Sequence, residues 1–416
     1  MRRRTSIDLF AGCGGLTRGL EWAGFDCIAF NELNKAAADS FALNFPDAAR
    51  FDGDIRTALS EKIIKSKIKP LIKSKGGLDL LCGGPPCQGY SGIGHRRTHQ
   101  VEKREIPSNH LFYEMIRVIN QIRPRVFLFE NVQGILSGKW SKDGEKGEIF
   151  REVWSAFSSI DGYVTQPTLL HAYGFGVPQN RPRVMIMGVL EEIASEKELQ
   201  ITEFNPSKTT SSYHSQLRNN GGLFPSWDGS TAPDLVDVLS DLDFEGWDSS
   251  KPIHRRKPKT DFQRLMRADL GDNWRQHRLT DHEFSKHTQR VVEKFEAMHK
   301  NGGVVPDHLK TKKFSQRVVP KRWGDAVPSI TATSLPDDYV HYARPRSFSV
   351  REWARIQTFP DHHEFAGKRT TGGSRRAGIP SEGIWDREVP KYTQIGNAVP
   401  PILAQAIGNR IAEITH

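Results

Sequence analysis

Cys87 stands in the run Gly83-Gly84-Pro85-Pro86-Cys87-Gln88-Gly89, directly after an apolar stretch that ends at Cys82. A buried cysteine is ordinarily inert packing. Here two prolines stiffen the approach, and Gly89, Gly92 and Gly94 loosen the chain beyond the cysteine, as a lid over a reactive thiol requires. A free thiol, with a pKa of about 8.5, must lose its proton before it attacks. Glu130-Asn131-Val132 closes a second apolar run, and a carboxylate aimed into a dry cleft has a raised pKa and can donate a proton. Gln179-Asn180-Arg181-Pro182-Arg183 precedes a third. Two arginines around a proline can be surface bases, whereas a guanidinium in a cleft donates well to a carbonyl oxygen. Thiol, acid and guanidinium together suit addition to an electron-poor heterocycle. The thiolate adds, the acid protonates a ring nitrogen, and the arginine holds the ring carbonyl.

A binding pocket is foreshadowed upstream. The strand-like residues 6–10 run into Ala11-Gly12-Cys13-Gly14-Gly15 and then into a helical pattern. Glycines let the backbone approach a ligand closely, and a helix N-terminus offers unpaired N–H groups to a carboxylate or phosphate. Glu32 lies 20 residues after Gly12, where an acid binds ribose hydroxyls in dinucleotide folds. The spacing GxGG departs from GxGxxG and turns the reading away from NAD. Asp54 can cap a helix, or its carboxylate can accept a hydrogen bond from an exocyclic amine such as that of adenine.

All these residues need strand ends to hold them. Strands are predicted over residues 6–10, 27–30, 78–82, 126–130, 164–170 and 184–189, with helices over 16–23, 36–44 and 109–122. In the last of these, Leu111, Met115, Val118, Ile119 and Ile122 share one face. This alternation predicts an α/β fold with a doubly wound, mostly parallel sheet, which places ligands beyond the carboxyl ends of its strands. Residues 62–75, with six lysines, read as an exposed surface or insertion. Past residue 190 the periodicity fades, and it returns at 350–356 and 402–411. The expected division is therefore a first catalytic part at 1–190, a smaller irregular domain at 191–327, and a C-terminal part at 328–416 that packs back on the sheet.

Composition narrows the class. The 416 residues are 37% apolar and 26% charged, an ordinary globular balance. No run approaches the roughly 18 apolar residues of a membrane span. The four cysteines Cys13, Cys27, Cys82 and Cys87 lack zinc-like spacing, which points to a reducing compartment and to no metal. A net charge of +10 favours a polyanionic partner such as nucleic acid. Residues 191–250 carry 12 acids and 3 bases, residues 251–322 carry 19 bases and 8 acids, and the basic stretch is the expected face toward phosphate, the alternative being a solvated basic surface.

With these blocks in hand, the chain resembles the DNA cytosine-5 methyltransferases of bacterial restriction-modification systems. The resemblance rests on Asp8-Leu9-Phe10-Ala11-Gly12-Cys13-Gly14-Gly15, Pro85-Pro86-Cys87-Gln88, Glu130-Asn131-Val132, Gln179-Asn180-Arg181-Pro182-Arg183, Arg351-Glu352-Trp353-Ala354-Arg355-Ile356-Gln357-Thr358-Phe359-Pro360 and Gln394-Ile395-Gly396-Asn397-Ala398-Val399-Pro400-Pro401, in that order. It implies a Rossmann-like fold that binds S-adenosylmethionine, leaving S-adenosylhomocysteine as product, through Phe10, Gly12, Gly14, Gly15, Glu32, Asp54, Ile55, Leu111 and Asn397. It also implies that Cys87 adds to C6 of a flipped cytosine, Glu130 donates to N3 and Arg183 contacts O2, with Arg181 in support. Base chemistry requires extrusion from the stack, in keeping with this assignment.

By the same resemblance, residues 191–327 form the target-recognition domain. Gln88, Ser91, Arg255, Arg256 and Lys257, with His254 beside them, are the expected DNA contacts. The expected partners are double-stranded DNA and a companion restriction endonuclease, with no membrane, for a monomer in a bacterial cytoplasm. The 33 residues between Pro360 and Gln394 are longer than the family pattern and read either as an added DNA contact or as an idle loop. A transfer-RNA methyltransferase and a catalytically inactive DNA-binding scaffold are the competing readings. A large basic region between the family blocks favours duplex DNA, and intact Cys87, Glu130 and Arg183 favour activity.

Overall fold

The computed structural model describes residues 3–86, 103–206, 221–227, 231–244, 251–310, 316–322, 338–371 and 388–416. Strand and helix alternate as the periodicity predicts. β1 (Arg4–Leu9) is followed by α1 (Gly15–Trp22), β2 (Phe25–Glu32) by α2 (Lys35–Asn44), then come β3 (Ala49–Asp52), β4 (Leu80–Gly83), α3 (Leu111–Ile122), β5 (Val126–Val132), α4 (Glu148–Ser158), β6 (Tyr163–His171) and β7 (Pro182–Leu190). They form one seven-stranded sheet in the order β3-β2-β1-β4-β5-β7-β6, with β7 antiparallel to both neighbours. β3 escapes the sequence pattern because it is an edge strand of four residues, two of them charged. The order reverses between β1 and β4, which opens a crevice at their carboxyl ends.

Both faces of the sheet are covered, so its central strands read as continuous apolar runs. Leu81, Phe127 and Phe129 pack with Met115 and Val118 of α3 and with Val153 and Phe157 of α4. Leu80, Cys82, Val126 and Leu128 face the other way, against Leu16 and Leu20 of α1 and a C-terminal helix. The lysine-rich residues 62–75 are part of this cover. Their lysines are exposed, but Ile64 and Ile68 are buried in the first core, so the segment is an amphipathic helical cap and no idle insertion.

Among the described residues, three helices follow residue 338: α5 (Val350–Ile356), α6 (Lys391–Asn397) and α7 (Pro401–Ile414). α7 crosses α1 so closely that a Cβ on Gly19 would lie 2.1 Å from the Pro401 carbonyl oxygen. α5 shares a third core with Leu235, Val238, Leu239, Phe262 and Leu279, joining residues 235–279 to the C-terminal part. A buried charge network reinforces that joint. Arg355 reaches Asp241 at 3.1 Å and Asp361 at 2.5 Å, and Arg267 pairs with the same two carboxylates.

This network corrects one expectation from the sequence, the placing of His254 toward DNA. Of the acidic stretch, Asp241 pairs with Arg267 and Arg355, and Asp243 pairs with Arg344 at 2.7 Å, so part of its charge is neutralised inside the molecule. His254 does not face solvent: it is buried 3.7 Å from Asp361, and burial lowers its pKa to about 3, so it is neutral. Arg255, Arg256 and Lys257 remain exposed as expected. No helix among the described residues is long and apolar enough to cross a membrane.

Candidate active site

β5 carries Glu130 to the carboxyl end of the sheet, and antiparallel β7 brings Arg183 opposite Val132. The Arg183 Nε lies 2.6 Å from Glu130 Oε1, with both side chains nearly buried. Burial pushes the Glu130 carboxyl above the ordinary carboxylate range, while Arg183 and then Arg181 pull it back without cancelling the rise. A guanidinium partner beside a raised acid leaves a group that can hold and release a proton. Arg181 is buried and donates to the Gly396 carbonyl in α6, so it anchors the site to the C-terminal block.

Cys87, Gln88 and Ser91 lie outside the described residues. The chain leading to them is in place. A Cβ on Gly84 would lie 2.6 Å from Glu130 Oε2, so the acid stands directly over the backbone three positions before the cysteine. Asn131 Nδ2 donates to the Pro85 carbonyl at 3.3 Å, tying the acid-bearing strand to the proline pair. Sequence reasoning noted Asn131 only as part of a block. Its signal is an amide placed next to an acid at a strand end.

The glycine loop sits at the crevice where the strand order reverses. Phe10, Gly12 and Gly14 have φ of +56°, +57° and +86°, and a Cβ on Gly12 would meet nothing within 4 Å, so the loop presents open backbone. Glu32 accepts the Gly12 N–H at 2.8 Å and the Asn34 N–H at 2.7 Å. Glu32 thus ties the glycine loop to the turn after β2 at the mouth of the crevice. Asp54 caps the turn Ile55–Ala58 and forks onto Arg56 at 2.9 and 2.5 Å, a pairing that lowers its pKa. Ile55 is a buried core residue, Leu111 is half-buried at the start of α3, and Asn397 is exposed at the end of α6 beside Gly396.

One buried acid enters the sequence reading only as the first residue of a block. Asp8, inside β1, accepts from Thr17 Oγ1 at 2.6 Å and so pins the strand to α1 beneath the loop. Burial pushes its pKa up to about 7 against the lowering effect of Thr17. Its only signal is a charge inside an apolar strand.

Comparison with known proteins fits this geometry. The chain matches the family described as C-5 cytosine-specific DNA methylase over residues 4–413. It is 31% identical to the type II methyltransferase M.DdeI of Desulfomicrobium norvegicum over 420 residues, covering 98% of this chain and 88% of that protein. It is 27% identical to the type II methyltransferase M1.HphI of Haemophilus parahaemolyticus, covering 99% and 87%. Among solved structures, a candidate DNA modification methyltransferase encoded within an Escherichia coli prophage superposes with a TM-score of 0.65 at 22% identity, covering 99% of each chain.

Proposed function

Because this chain belongs to the C-5 cytosine-specific DNA methylase family, and is therefore a DNA cytosine-5 methyltransferase, we propose that Cys87, Glu130, Arg181 and Arg183 carry its chemistry. The observation that carries the assignment is the Glu130 carboxyl held between Arg183 and the Gly84 backbone, three residues before the cysteine. The Cys87 thiolate forms a bond to C6 of an extruded cytosine while Glu130 gives its proton to N3. Arg183 holds O2. The electron pair is then concentrated at C5, which takes the methyl group. Loss of the C5 proton to solvent, departure of the Cys87 sulfur as thiolate and return of the N3 proton to Glu130 restore the ring, leaving 5-methylcytosine. Covalent addition thus divides one hard step into easier ones.

The family uses S-adenosylmethionine, and the residues at the crevice fit it. The open backbone at Gly12 receives the ligand, the Glu32 carboxylate bonded to Gly12 is the acceptor for ribose hydroxyls, and the first turn of α1 offers N–H groups to a carboxylate. Bound there, S-adenosylmethionine supplies an electrophilic methyl group on a sulfonium. Phe10, Gly14, Gly15, Asp54, Ile55, Leu111 and Asn397 complete the proposed pocket. For Asp54 to receive an adenine amine it shares its carboxylate with Arg56.

Residues 191–327 are proposed as the target-recognition region, with Arg255, Arg256 and Lys257 toward DNA and Gln88 and Ser91, next after Cys87 in the sequence, as further contacts. Type II relatives support a place in a restriction-modification system, beside a cognate endonuclease. The test is transfer of labelled methyl from S-adenosylmethionine to genomic DNA and, separately, to transfer RNA. Label in DNA alone is expected. Label in transfer RNA alone overturns the substrate, and label in neither favours an inactive scaffold.

A further inference from the structure

The residues after Phe359-Pro360 lie against the glycine loop. His363 is fully buried, its ring 6.3, 4.6 and 5.1 Å from those of Phe45, Phe359 and Phe365. Its Nε2 is 2.9 Å from the carbonyl oxygen of Cys13. A carbonyl only accepts, so Nε2 carries the proton and donates. Burial, with the Arg18 cation next in effect, holds the imidazole well below its usual pKa and keeps it neutral.

The Cys13–Gly14 peptide is thereby fixed from both ends. Its carbonyl accepts from His363, and its N–H donates to the Ala11 carbonyl at 3.0 Å. A peptide plane turns through ψ of one residue and φ of the next, and Gly14, at φ +86°, has no Cβ to resist that rotation. An outside hydrogen bond is what this loop needs to keep one orientation. The same segment clips α2 to the site. Asn44 donates to the Glu364 carbonyl at 2.8 Å and accepts the Glu364 N–H at 3.0 Å, and Ser40 accepts the Ala366 N–H at 2.8 Å.

We propose that His363 is a positioning residue for cofactor binding: by holding the Cys13 carbonyl it fixes the glycine loop in the form that presents Gly12 to Glu32. It acts through the loop. The inference rests on the reading of that loop as the S-adenosylmethionine pocket. It also gives the first residues of the long stretch after Pro360 a role other than DNA contact.

The test compares wild type with H363F, which keeps an aromatic ring and loses the donor, and H363Q, whose amide can place a donor near the Nε2 position. Calorimetric Kd for S-adenosylmethionine, KM for cofactor and for DNA, kcat and amide exchange of the free protein are measured. H363F should weaken cofactor binding about tenfold, with kcat and KM for DNA within about twofold and H363Q largely restoring affinity. Exchange at Gly14 should quicken in H363F. If H363F fails to fold, H363N, whose amide is too short to reach Cys13, carries the same expectation. Cofactor affinity unchanged in the donor-less variant overturns the inference. Equal losses for cofactor and DNA with no rescue by H363Q also overturn it, because that is the mark of a packing role. Wild-type protein that binds no S-adenosylmethionine overturns the pocket reading itself, and the inference with it.

Discussion

In the proposed mechanism Glu130 is proton donor and ion-pair partner at once. Burial raises its pKa, and Arg183 keeps the charged form within reach, so the group can cycle without leaving the cleft. Glu130→Gln should slow methyl transfer by about two to four orders of magnitude, the range of a positioned proton donor. Single-turnover rates at saturating DNA check this, and an unchanged rate would make the residue structural. Asp8 gives a second, thermodynamic prediction. With its pKa pushed up to about 7, the folded protein holds a proton between about pH 4 and 7 that the unfolded chain has lost. Stability from this residue is therefore full below that window and declines as pH rises through it. Asp8→Asn, which keeps an acceptor for Thr17, should gain up to about 4 kcal/mol over wild type at pH 8 and almost nothing at pH 4. Denaturant unfolding at the two pH values measures the difference. A larger gain at pH 4 would contradict the sign.

Legibility of the elements follows their packing. β1, β2, β4, β5, β6 and β7 could be read because both faces of the sheet are covered, and residues such as Leu80, Leu81, Cys82, Val126, Phe127 and Leu128 are all apolar. The joint between residues 235–279 and α5 could not, because much of it is charge. Asp241, Arg267, Arg355 and Asp361 are residue types that a pattern of apolar periods assigns to the surface, and nothing in their spacing announces that they meet. His254 was misplaced for the same reason. Breaking one member of a buried set leaves uncompensated charge. Asp241→Asn should therefore cost about 3–5 kcal/mol, read from denaturant unfolding. A loss below about 1 kcal/mol would mean that the pairing is solvated. The active-site blocks were legible as types, but the contacts that orient them were not: Asn131 to Pro85, Arg181 to Gly396, and His363 to Cys13 all join residues far apart in the chain.

At the scale of the molecule, the positive charge needs a place to act. Some of the basic stretch is spent internally, on Asp241 by Arg267. Arg255, Arg256 and Lys257 are exposed, at the surface beside that buried network. Replacing the three with Gln should reduce the slope of log affinity against log salt, by roughly 0.9 for each phosphate no longer neutralised. A slope unchanged by the replacement would move the DNA face elsewhere. The central claim, that Cys87 and Glu130 together carry the chemistry of a cytosine-5 methyltransferase acting on duplex DNA, is tested most directly by bisulfite sequencing of DNA from cells that express wild type or Cys87→Ala. Wild type should leave protected cytosines at one recurring sequence, and Cys87→Ala should leave none. Protection that persists in Cys87→Ala, or its absence with wild type, would contradict the claim.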